Sequence, residues 1–123
     1  MKKPDLSKMT TPALVARFRR LVLDQEIFLL SLDTKRYSQL FYQVNDITNE
    51  LKTRDGDGRR GLLAFFDHES PHLRFTTACS CEDLSPAKAR EVLRQIRETR
   101  ITPYALHAGM SLWMLERKDR GEI

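Results

Sequence analysis

Four of the five prolines in this chain follow a serine or threonine: Thr11-Pro12, Ser70-Pro71, Ser85-Pro86 and Thr102-Pro103. Each such pair reads as a helix start. The hydroxyl accepts a hydrogen bond from an unpaired first-turn N–H, and proline is tolerated next because its missing N–H would lack a partner there. Asp33 and Asp57 are two further candidate caps. Stops come from Asp55-Gly56, from the polar stretch 67 to 70, from Glu82-Asp83 and from residues 117 to 121. The punctuation predicts six helices, near 12 to 31, 34 to 54, 58 to 67, 71 to 81, 86 to 100 and 103 to 117.

Periodicity agrees. Tyr37, Leu40, Phe41, Val44, Ile47, Thr48 and Leu51 share one side of a helix at 100° per residue, as do Ala89, Val92, Leu93 and Ile96. No stretch shows the sustained alternation of a half-buried strand. The expected fold is all-α, six helices joined by short connections into three stacked antiparallel hairpins. With 123 residues, 41% of them apolar and only 5 glycines and 5 prolines, collagen-like and wholly disordered classes are excluded. One domain is expected over 1–123: a flexible start at 1–9, a hairpin at 12–54, two helix pairs over 58–117 and a tail at 118–123.

Two of the helices carry more apolar residues than one buried face uses. On the first, Leu14, Phe18, Leu21, Val22, Phe28, Leu29 and Leu32 form one stripe, while Leu23, Ile27 and Leu30 form another on the opposite side. The last repeats the pattern. There Ala105, Ala108, Leu112 and Leu115 make a core stripe, and Leu106, Met110, Trp113 and Met114 face elsewhere. Either other helices of the same chain cover both sides, or one stripe is a contact surface, since contiguous exposed apolar patches mark interaction sites.

From Leu62 to Leu115 the chain resembles HEAT-like helical repeats. The stretch Leu62-Leu63-x-Phe65-Phe66, the turn Asp67 to Pro71, then Leu73-Arg74 and Thr77-Ala78 carry the likeness, and Val92-Leu93-x-x-Ile96 with Thr102-Pro103 echo it. Cys79-Ser80-Cys81 and the lack of an Arg after Pro103 depart from it. The whole chain resembles a small uncharacterised bacterial family of HEAT-like domains. The resemblance implies an α-α superhelix, a binding scaffold with no transferable catalytic residues, and an Arg74 paired with Asp67 or Asp83.

Residue constellations for chemistry are sparse. His68, His72, Cys79 and Cys81 are the densest set of metal-ligand types, but their spacing does not match a structural zinc site. The stretch Asp55 to Gly61 lacks the Lys-Ser/Thr of a phosphate loop and the closing glutamate of a calcium loop, and is expected to be a flexible turn. No cofactor, small-molecule substrate or catalytic residue is expected. The 21 Lys and Arg against 17 Asp and Glu leave +4, a mild surplus of positive charge. Arg90, Arg94 and Arg97 project to one side of their helix and are the candidates for binding nucleic acid. No segment has the core of a signal peptide or the length of a membrane span. Two unpaired thiols suit a reducing compartment, so a cytoplasmic protein without membrane attachment is expected.

The leading expectation is a noncatalytic protein-interaction module, binding a protein partner or forming a homo-oligomer through Leu23, Ile27 and Leu30 or through Leu106, Met110 and Trp113. The alternative is a nucleic-acid binder.

Overall fold

The first helix starts one residue earlier than the proline signal suggests. The cap is Thr10, whose hydroxyl accepts from the Ala13 N–H at 3.2 Å. The structure, a computed structural model, describes residues 4–123. Helix α1 (Thr11–Leu30) is followed by α2 (Thr34–Lys52), a 3-10 stretch at Gly58–Asp67, α3 (Pro71–Cys81), α4 (Pro86–Thr99) and α5 (Tyr104–Asp119). There is no strand among the described residues, and the fold is all-α. The chain divides into two compact units, Met1–Ala64 and Phe65–Ile123.

In the first unit α2 packs against α1. Leu14, Phe18, Leu21 and Val22 of α1, and Val44, Ile47 and Leu51 of α2, are buried. The turn between the helices is a Schellman cap. Asp33 N–H donates to Phe28 O at 2.9 Å, Leu32 N–H donates to Leu29 O at 3.4 Å, and Leu32 sits in the left-handed region with φ 60°. Asp33 then caps α2 by accepting from the Arg36 N–H at 3.1 Å. This turn corrects the predicted α1 stripe: Leu32 lies beyond the helix and is 82% exposed. Phe41 also leaves its predicted core stripe, at 54% exposure. It sits about 60° from Val44 on the helical wheel, at the edge of the buried face, where a large ring leans outward against Tyr42.

The start of the chain is less plain than expected. Leu6–Lys8 form a short 3-10 turn capped by Asp5, and the Arg54 guanidinium donates to Leu6 O at 3.0 Å. The sequence expectation for residues 1 to 3 lies outside the described residues. The glycine-rich connection is ordered by Asp57, which accepts from the Arg59 N–H at 3.0 Å and pairs with its guanidinium at 2.6 Å. That hydrogen bonding holds the Asp57 carboxyl below the ordinary aspartate value. Gly58 comes so close to α2 that a Cβ there would stand 2.9 Å from Leu51 O. The predicted helix over 58 to 67 is a 3-10 stretch rather than an α-helix.

In the second unit α4 packs against both α3 and α5, and α3 also meets α5. Ser70 caps α3 as predicted, accepting from the Leu73 N–H at 3.1 Å. Ser85 makes no side-chain cap bond, and Pro103 rather than Thr102 holds the cap position of α5, after a cis Thr102-Pro103 peptide. The buried residues include Leu73, Ala78 and Cys81 of α3, Ala89, Val92, Leu93 and Ile96 of α4, and Ala105, Ala108 and Leu112 of α5.

Two backbone substitutions test this description. Leu32→Gly removes the penalty of a side chain in the left-handed region and is expected to raise stability by about 1 kcal/mol. Gly58→Ala drives a methyl into Leu51 O and is expected to lower it by about 1–3 kcal/mol. Urea denaturation of both variants checks the opposite signs.

Candidate functional site

Helix α5 has two apolar faces, and the neighbouring helices use one. Ala105, Ala108 and Leu112 are buried, the two alanines being small enough to admit close helix packing. The other face carries Leu106, Met110 and Trp113, spaced i, i+4 and i+7, with Met114 beside them. Met110 is 59% exposed, Trp113 52% and Met114 47%. One further turn along the same line, Arg117 stacks its guanidinium over the Trp113 ring, 4.6 Å from the centroid.

This face opens sideways into a groove of the second unit with a volume of about 690 Å³. Leu93 of α4 and Met110, Met114 and Leu115 of α5 give it apolar walls, and Ile123 from the chain end also lines it. Its polar groups are Cys79, Ser111, Glu82 and Lys118. Cys79 Sγ lies 3.7 Å from Ser111 Oγ. Desolvation of the thiol pushes the Cys79 pKa above the ordinary 9.0, and the Ser111 contact opposes this only in part.

The charges around the groove are unevenly committed. Arg90 of α4 pairs with Glu82 at 3.0 Å and with Asp119 at the end of α5. These bonds hold the Arg90 pKa up and the Asp119 carboxyl below its ordinary value. A single guanidinium therefore occupies both nearby carboxylates. Lys118 and Arg117 make no ion pair among the described residues, and the Arg117 Nε is buried without a hydrogen-bond acceptor.

The sequence candidates fare differently. Leu106, Met110 and Trp113 share one exposed face of α5 in the second unit. Leu23, Ile27 and Leu30 lie on α1 in the first unit, where Ile27 and Leu30 are exposed and Leu23 is half-buried. The arginine trio is split in its engagement: Arg90 is held as above, Arg94 pairs with Glu91 at 3.2 Å, and Arg97 makes no ion pair among the described residues, its stem lying beside Gly109. Arg59 is buried against Asp57. The Arg74 Nε is buried without an acceptor.

The His and Cys residues are dispersed among separate structural tasks. His68 Nδ1 accepts from the Ser70 N–H at 3.0 Å, the buried His72 stacks on Phe75, and Cys81 is in the core. No group of three or more His, Cys, Asp or Glu side chains is placed to hold a metal among the described residues. Sequence reasoning missed the groove itself, together with Arg117 and Lys118. The signal was present in the i, i+4, i+7, i+11 spacing of Leu106, Met110, Trp113 and Arg117, which extends an apolar stripe into a cation.

Two measurements probe this geometry. Iodoacetamide at neutral pH is expected to alkylate Cys79 more slowly than it alkylates free glutathione, and to reach Cys81 only after unfolding; mass spectrometry of timed samples reads both. Because the Asp57 and Asp119 carboxyls are depressed in the folded chain, the stability they contribute is full above the ordinary aspartate pKa of 3.8 and is lost as pH falls below it. Asp119→Asn is therefore expected to flatten the acid limb of the urea midpoint against pH.

No described helix is long and apolar enough to cross a membrane. Comparison with curated proteins gives no match. A solved structure, the protein RPA1889 from Rhodopseudomonas palustris CGA009, is similar with a TM-score of 0.88 and 38% sequence identity, covering 93% of this chain and 94% of that one. The model of DUF2019, described as a domain of unknown function, matches residues 12–116. The chain belongs to the DUF2019 family.

Proposed function

We propose that this protein is a noncatalytic protein-interaction module whose recognition surface is the second apolar face of α5 with its adjoining groove. The observation that carries the reading is the exposure of Leu106, Met110, Trp113 and Met114 together on one helix, rather than singly. Aromatic and methionine side chains are the types enriched at interface cores. We read the helices as a short HEAT-like array, a reading supported by sequential helix packing in each unit and qualified by the 3-10 stretch at Gly58–Asp67. We place the protein in the cytoplasm, on the strength of two free cysteines. Nucleic-acid binding is less well supported, because Arg90 and Arg94 already have carboxylate partners.

Photo-cross-linking tests the proposal. A benzophenone amino acid in place of Met110, in the full chain expressed in its own cells, is expected to give a covalent protein adduct. The same probe at Asn45, an exposed polar position on α2, should not. Equal or absent labelling from the two positions would overturn the proposal.

A further inference from the structure

Resting on the reading of α5 as an interaction face, we infer that its partner is an amphipathic helix of another protein carrying acidic residues beside its apolar stripe. The apolar half of the argument is shape. Met110 and Met114 belong to the exposed stripe and also line the groove, so stripe and groove form one continuous surface with a trough about 690 Å³ in volume. Helical ligands lay anchors at i, i+4 and i+7 into such troughs, and flexible thioethers adapt to them.

The acidic half is charge. Glu82 lines the trough and Asp119 ends α5, and Arg90 binds both. The surplus left over is cationic: Lys118 lines the groove without an ion pair, Arg97 flanks α5 at Gly109, and Arg117 stands at the end of the stripe. Glu116 is the one acid of α5 outside the Arg90 network. Arg117 is the sharpest indicator. Its guanidinium lies over the Trp113 ring, and its Nε is withdrawn from water with no acceptor, a donor that a carboxylate from outside would satisfy. A second copy of this chain fits less well. A twofold pairing sets the same patch against itself, bringing like surplus charges together instead of supplying carboxylates.

The probe is a synthetic helical peptide of about 18 residues, long enough to hold some helix in water, with leucines at i, i+4, i+7 and i+11 and glutamates flanking them. A control peptide has lysine at every glutamate. Trp113 is the sole tryptophan of the chain, so its fluorescence reads the site directly. The expected result is a blue shift on titrating the full-length protein with the glutamate peptide, with affinity about tenfold above the lysine peptide. Arg117→Gln with Lys118→Gln should remove that preference while circular dichroism stays unchanged, and Arg94→Gln should not. Equal binding of the two peptides would overturn the acidic partner and leave the interaction module standing. So would a cross-link from position 110 to a second copy, with a dimer by light scattering. Failure of both peptides to shift Trp113 would overturn the helical occupant, whereas the absence of any cross-link at position 110 is the separate failure of the module itself.

Discussion

A helix has one circumference to divide between core and water, and the division made on α5 governs the second unit. The small side chains Ala105 and Ala108, with Leu112, go to the interior beside a fully apolar α4 face. Small residues bring helix backbones close, which leaves little room between them for a methionine or an indole. The bulky apolar residues are therefore on the outside. Burial of one such side chain contributes roughly 1.5–3 kcal/mol when it is sheltered from water. Four of them left uncovered on one face represent an unused driving force for association.

On the proposed reading, charge directs that driving force. Arg90 lies between the end of α3 and the end of α5 and neutralises a carboxylate from each. It ties the helix ends together and engages Glu82, which lines the trough, while Lys118 and Arg117 make no ion pair among the described residues. On the proposed reading, Arg90, singled out in the sequence for its positive charge, matters through the two acids it engages. Surface ion pairs contribute little to stability individually. Their effect on what a surface attracts is larger.

Much of the helical framework was legible in the sequence because caps and prolines act locally. Ser70 and Asp33 bond the N–H groups that their positions dictate, and the 3.6-residue period of Ala89, Val92, Leu93 and Ile96 marks a buried face. Where the sequence misled, backbone geometry was responsible. Leu32 fits the α1 stripe by spacing, but the chain has already turned at Ser31, and a leucine occupies the left-handed position where glycine would have signalled a stop. Gly58–Asp67 has helical periodicity, yet Gly58 must clear the Leu51 carbonyl and the stretch winds as 3-10. The apolar stripes were visible on a helical wheel. Which stripe faced water was not, since that depends on where the neighbouring helices pass.

The clasp between Asp57 and Arg59 joins residues two positions apart, and it ends the connection that follows α2. Closing so small a ring sacrifices little chain freedom, and the main helix pairings, α1 with α2, α3 with α4 and α4 with α5, are likewise between neighbours along the chain, with α3 to α5 the longer-range addition. A polypeptide wired in this short-range manner assembles rapidly, at the quick end of the scale set by contact order. On the proposed reading, the apolar outer face of α5 would then spend little time unfinished before a folded scaffold presents it.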